Sequence, residues 1–150
     1  MYKKILVIVA ALAVMLSAAS VAISQQAPPA PNPKVQEMVA KAKAAVTKVD
    51  AQAVKAAIDS KEKAIFLDVR DPGEFAAGHL PSAVNISRGT LEFNVSNKIP
   101  DQNAKIYVYC KTGGRAALAT KTLNDLGYKN AVLADIIFAD WVKAGYPAER

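Results

Sequence analysis

Cys110 is the only cysteine in the 150-residue chain. It ends the apolar run Lys105-Ile106-Tyr107-Val108-Tyr109 and opens the loop Cys110-Lys111-Thr112-Gly113-Gly114-Arg115. A helical pattern over 115–126 follows at once and stops at Gly127. A thiol at a strand end, just ahead of a helix, faces free backbone N–H groups and the positive end of the helix dipole. That setting favours the thiolate, which is the nucleophilic form. Gly113 and Gly114 let the backbone curl around the sulfur. A cation in the first helical turn opposes the dipole, so Arg115 suits an arriving anion better than it suits helix stability. A lone cysteine is more often a small buried hydrophobe. The coincidence of the Cys-x4-Arg frame, the paired glycines and the strand–loop–helix setting instead marks a reactive loop.

The elements that must position this loop begin after a leader. Met1-Tyr2-Lys3-Lys4 is basic, residues 5–16 are uninterruptedly apolar, and Ala22-Ile23-Ser24 offers a small-x-small cleavage site. Residues 1–24 therefore read as a secretory signal peptide, with export to the periplasm expected. The alternative is an uncleaved inner-membrane anchor over residues 5–23, whose 19 residues just reach across a bilayer. Cleavage is favoured because small residues weaken the distal half. Residues 1–24 carry two lysines, so without them the formal charge falls from +6 to +4. The remaining charge is scattered and has no interleaved aromatic run, which argues against a nucleic-acid partner. A mild positive bias suits small anionic substrates. With one cysteine and one histidine, a Cys/His zinc site is excluded, and the cysteine has no partner in the chain for a disulfide.

Residues 25–33 form a proline-rich linker. Val35, Met38, Val39, Ala42, Val46 and Val49 follow helical spacing, so the pattern predicts an amphipathic helix over 34–49. It lacks the large aromatics of membrane-surface helices. The domain proper is expected over 50–150. Asp50 caps a helix carrying Val54, Ala57 and Ile58. Strands are expected at 64–69, 83–86, 105–109 and 131–134, with a turn at 99–103. Helices are expected from Asp71-Pro72-Gly73-Glu74 to Gly78, over 115–126, and over 138–144 before Gly145 and Pro147. Alternating strands and helices imply an α/β fold with a parallel sheet covered on both faces. Ligands of such sheets bind beyond the carboxyl ends of the strands, where Cys110 lies.

Four segments, in order, resemble the rhodanese-like sulfurtransferase family: Leu67-Asp68-Val69-Arg70-Asp71-Pro72-Gly73-Glu74-Phe75, Gly78-His79-Leu80-Pro81-Ser82-Ala83-Val84-Asn85-Ile86, the Cys110–Arg115 loop, and Trp141-Val142-Lys143-Ala144-Gly145-Tyr146-Pro147. The resemblance implies a central parallel sheet of about five strands flanked by helices. It implies a Cys110 persulfide, formed from thiosulfate or a similar anionic donor and emptied by a thiophilic acceptor such as cyanide, a thiol or a sulfur-accepting protein. The backbone of residues 111–115 would cradle the persulfide, Lys111 and Thr112 would tune the donor, and Arg115 would close the loop. Asp68 and Arg70 would support the loop, through an ion pair or a loop-supporting hydrogen bond. No metal and no organic cofactor is implied. Glu74 reads as a helix-cap residue, His79 as structural, and Trp141 as core, while Arg88 could reach the pocket. Where the family commonly has Gly-Gly, this chain has Ile136-Ile137, so the turn there or the shape of the pocket must differ.

Two other functions compete. Related folds carry a phosphatase loop of form Cys-x5-Arg, but this loop is one residue shorter and follows Tyr109 rather than His. A non-catalytic persulfide carrier is also compatible, with 34–49 as a docking element and any membrane contact dependent on an uncleaved leader.

Overall fold

The computed structural model describes residues 32–150. The expected signal peptide and most of the linker lie outside the described residues. The elements are α1 (Pro33–Ala45), β1 (Lys48–Val49), α2 (Ala51–Asp59), β2 (Ile65–Asp68), α3 (Pro72–Ala76), β3 (Val84–Asn85), α4 (Leu91–Lys98), β4 (Ile106–Tyr109), α5 (Gly114–Asp125), β5 (Ala131–Ala134) and α6 (Phe138–Lys143). A 3-10 turn, Arg88–Thr90, leads into α4.

The five strands form one parallel sheet in the order β1-β5-β4-β2-β3. The alternation of side chains along β4 shows why this run is apolar throughout. Ile106 and Val108 enter a core with Leu67, Leu133, Leu91 of α4 and Leu123 of α5. Tyr107 and Tyr109 point the other way, into a core with Phe66, Val132, Val54 of α2 and Trp141 of α6. Successive residues of a strand face opposite sides, so a central strand with helices on both sides must be apolar at every position. Each such fully buried side chain contributes about 1.5–3 kcal/mol.

The helix expected over 34–49 ends at Ala45. Val46 is extended (φ −121°, ψ 151°), and Lys48–Val49 pair with Leu133–Ala134 as the edge strand β1. Leu133 N–H donates to Thr47 O at 2.9 Å and Asp135 N–H to Val49 O at 2.9 Å. Val46 and Val49 fit a helical period by coincidence. The β-branched run Val46-Thr47-Lys48-Val49 prefers an extended chain, and the open edge of β5 gives its backbone partners. The domain therefore starts before residue 50. Helix α1 belongs to it, packing on α5 with Ala42 buried in the core. Residues 88–98, which carry no strand or helix expectation, supply the turn and α4. Among the described residues no helix is long and apolar enough to cross a membrane.

Candidate active site

Strand β4 delivers Cys110 to the carboxyl edge of the sheet, where it is buried. Its Sγ accepts hydrogen bonds from Gly113 N–H at 3.2 Å and Ala116 N–H at 3.4 Å. A negatively charged sulfur accepts such bonds more strongly than a neutral thiol. Gly113 turns the chain back over the sulfur with φ 85°, a left-handed conformation open to glycine. The N–H groups of Lys111, Thr112, Gly114 and Arg115 find no acceptor among the described residues. Gly114 and Arg115 open α5, so their N–H groups are the unpaired donors of a helix N-terminus. The loop thus sets one buried sulfur against two bonded backbone donors, with four further N–H groups of the same loop left without acceptors among the described residues.

Arg115 does not point its charge at the sulfur through any hydrogen bond. Its Nη1 donates to Glu74 Oε2 at 2.6 Å and its Nη2 to Glu74 Oε1 at 3.0 Å, with Asp71 Oδ2 3.4 Å from Nη1. The pairing holds the Glu74 carboxyl below its ordinary range, chiefly through the bonds from Arg115. The same bonds push the Arg115 guanidinium up. Glu74 also caps α3, its Oε2 accepting from Asp71 N–H at 3.3 Å. One carboxylate therefore starts α3 and ties down the far end of the Cys110 loop.

Asp68 and Arg70 form a buried pair. Arg70 Nε lies 2.9 Å from Asp68 Oδ2, and its Nη2 lies 2.5 Å from the same oxygen. Nη2 also donates to Gly78 O at 2.6 Å, and the guanidinium sits 4.1 Å from the Phe138 ring centroid. Burial is the largest single influence and opposes the Arg70 charge, but the hydrogen bonds to Asp68 together with the attraction of Asp68, Tyr109 and Glu74 raise its pKa. These groups bond to one another and to Gly78 O beyond the end of α3, not to the sulfur. Their place is to fix the segment that presents Asp71 and Glu74. Beneath them Tyr109, its hydroxyl accepting from Leu80 N–H at 3.0 Å, is pushed up by burial.

The Lys111 side chain is exposed and makes no ion pair among the described residues, while its carbonyl accepts from Phe138 N–H at 3.1 Å. Thr112 is exposed at the rim. Ile136 is buried, and Ile137 is extended (φ −98°, ψ 114°), so no left-handed turn is needed where the family has glycines. Both isoleucines line a cavity of about 370 Å³ with Ala51, Asp140, Trp141 and Tyr146, and with Asp135, which also lies against Gly113 of the Cys110 loop.

His79 stacks on Phe75 with ring centroids 3.9 Å apart, its Nδ1 3.1 Å from Phe75 O. Trp141 is buried, its Nε1 donating to Pro147 O at 2.9 Å. Arg88 turns away from the loop to Glu92 and Thr122. Among the described residues no group of three or more His, Cys, Asp or Glu side chains could hold a metal. Two residues at the loop escaped the sequence reading. Lys43 of α1 pairs with Asp135 at 2.9 Å, and both lie against Gly113. Asp135 follows β5 at the same carboxyl edge as Cys110, a placement the sequence could have flagged. Nothing in the pattern of α1 distinguished Lys43 from its other lysines.

The rhodanese-like domain model matches residues 50–144, and the chain belongs to the rhodanese-like family. Thiosulfate sulfurtransferase PspE of Escherichia coli is 30% identical over 42% of this chain and 61% of its own. A candidate sulfur carrier protein of Bacillus subtilis, YrkF, is 30% identical over 64% of this chain and 51% of its own. The chain thus spans about half to three-fifths of these relatives' lengths. A solved protein of unknown function from Rhodopseudomonas palustris, described as a possible tyrosine phosphatase, superposes with TM-score 0.72 at 27% identity, covering 83% of this chain and all of that one.

Proposed function

We propose that this protein is a sulfurtransferase working through a persulfide on Cys110. The observation that carries the reading is the loop geometry: two N–H groups on Sγ and four more without acceptors among the described residues. The Cys110 thiolate attacks the outer sulfur of thiosulfate, forming the Cys–S–S bond while the S–S bond of the donor breaks and sulfite leaves with the electron pair. The extra sulfur on Cys110 then carries the negative charge, facing the N–H donors of the loop. Cyanide or a thiolate attacks that sulfur and restores the Cys110 thiolate, giving thiocyanate or an acceptor persulfide. Lys111, which makes no ion pair among the described residues, supplies a cation at the rim for the donor, and Thr112 borders the entrance. The donor need not be thiosulfate itself; the chemistry requires an anion with a terminal sulfane sulfur.

The phosphatase reading fits less well, because a loop with four residues between Cys110 and Arg115 closes a smaller ring than phosphate needs. The relationship to YrkF supports a second reading, a carrier that passes its sulfur only to a partner protein. Turnover of thiosulfate and cyanide by residues 25–150, beside Cys110→Ser, separates these. Turnover lost in the variant supports the enzyme; a stable Cys110 persulfide without turnover supports the carrier; aryl phosphate hydrolysis lost in the variant supports the phosphatase.

Export is part of the proposal. Residues 1–24 act as a cleaved signal, and the mature chain works in the periplasm. Fractionation of expressing cells, with N-terminal sequencing, tests it. Full-length chain in the membrane fraction would favour the anchor over residues 5–23.

A further inference from the structure

The underside of the Cys110 loop carries a pair of charges that the proposed chemistry does not use. A Cβ built on Gly113 would lie 3.1 Å from Asp135 Oδ1 and 3.2 Å from Lys43 Nζ. Gly113 N is itself 3.2 Å from the Cys110 sulfur. Backbone bond lengths then place both charges within about 10 Å of the sulfur. The carboxylate and the ammonium are 2.9 Å apart, and their side chains are 37% and 32% exposed, so water screens the pair only in part. Lys43 sits on α1, outside residues 50–144 matched by the family model.

A carboxylate this close to the loop is an electrostatic liability. It repels a thiolate, a persulfide and an incoming sulfur-donor anion alike. The other cation of the loop, Arg115, is already paired with Glu74 and Asp71, and Lys111 stands at the rim. We propose that Lys43 is a specificity-determining residue: it offsets the charge of Asp135 so that the Cys110 loop accepts anions. Helix α1 thereby supplies part of the electrostatic field of the site. The proposal rests on Cys110 as the reactive group of an anion-accepting loop.

Coulomb interaction falls off slowly at this distance and scales with the charge of the visitor. Loss of Lys43 must therefore act twice as strongly, in free energy, on a dianion as on a monoanion. A neutral reagent feels only the change in thiolate content, which all reagents share, so the ratio of anionic to neutral rates isolates the charge of the visitor. A merely structural brace would show no such order.

The test uses Lys43→Gln, Asp135→Asn and the double variant, and reads Cys110 in two ways. The first is alkylation of Cys110 followed by mass, comparing anionic iodoacetate with neutral iodoacetamide. The iodoacetate-to-iodoacetamide rate ratio should fall about twofold in Lys43→Gln, rise about twofold in Asp135→Asn, and return to the wild-type value in the double variant. The second is kcat/KM. Lys43→Gln should lower it about fourfold for dianionic thiosulfate and about twofold for a monoanionic thiosulfonate, with both losses shrinking at high salt. A double variant as impaired as Lys43→Gln, or equal losses for neutral and charged reagents, would overturn the proposal. If the wild type turns over no sulfur donor, the sulfurtransferase reading fails, but the alkylation ratios still decide the role of Lys43.

Discussion

Arg115 and Glu74 are joined by two hydrogen bonds, at 2.6 and 3.0 Å, that link the first turn of α5 to the first turn of α3. The Cys110 loop is thereby tethered at its far end to a helix that begins immediately after β2. Glu74→Gln keeps the cap but weakens the tether and frees a cation. The partners are each about a third exposed, so the loss of stability should be small, about 0.5–1 kcal/mol. Turnover should fall further, about tenfold, because the loop geometry loosens. Urea melts and steady-state rates on the same samples check both. Equal, unchanged rates would show that the tether is irrelevant to chemistry.

The same pair sets a pH dependence. The folded chain holds the Glu74 carboxyl below its ordinary value of 4.5. Its stabilisation is therefore complete above the unfolded value and disappears as pH falls through the lower folded value. Wild-type stability should drop more steeply than that of Glu74→Gln between about pH 5 and 3. Thermal melts across that range read the difference. Parallel curves would contradict the assigned pairing.

Gly113 and Gly114 should differ sharply when each is replaced by alanine. At Gly113 the left-handed φ of 85° and the neighbouring Asp135 and Lys43 both oppose a side chain. Gly113→Ala should lose about 1–3 kcal/mol and most activity, since the Gly113 N–H is aimed at the sulfur. At Gly114 a Cβ would meet only Val39, at 3.7 Å. Gly114→Ala should change stability by less than about 1 kcal/mol. Denaturant midpoints for the two variants make the comparison, and equal losses would contradict the loop geometry.

Asp68→Ala should be the most destabilising change in the site. It leaves the Arg70 guanidinium, only 5% exposed, without its carboxylate. Removing one member of a buried pair costs about 3–5 kcal/mol. Asp68→Leu/Arg70→Met should recover part of this, because no buried charge remains. Urea unfolding of the three proteins measures it.

Much of this arrangement was legible in the residues. The run Ile106–Tyr109 before Cys110 is apolar at every position because β4 is covered on both faces, and that marked it as a strand. Asp71-Pro72-Gly73-Glu74 announced α3 through its capping chemistry. What escaped depended on contacts distant in sequence. Lys48–Val49 became a strand only because β5 offered an edge, against a valine spacing that also suits a helix. Arg115 looked like an anion ligand until Glu74, 41 positions away, proved to hold it. Lys43 reaches Asp135 across 92 positions, and no local pattern encodes such a pair. The glycine replacement at Ile136-Ile137 was visible as a departure. Its consequence, an extended entry to α6, required the backbone angles.

The central claim is the reactivity of Cys110 toward sulfane sulfur. Residues 25–150 should be mixed with thiosulfate, weighed as intact protein, and then given cyanide. The account predicts a gain of about 32 Da that is absent in Cys110→Ser, removed by cyanide, and matched by thiocyanate released over many turnovers. No gain in mass at Cys110 with any sulfane-sulfur anion would contradict it.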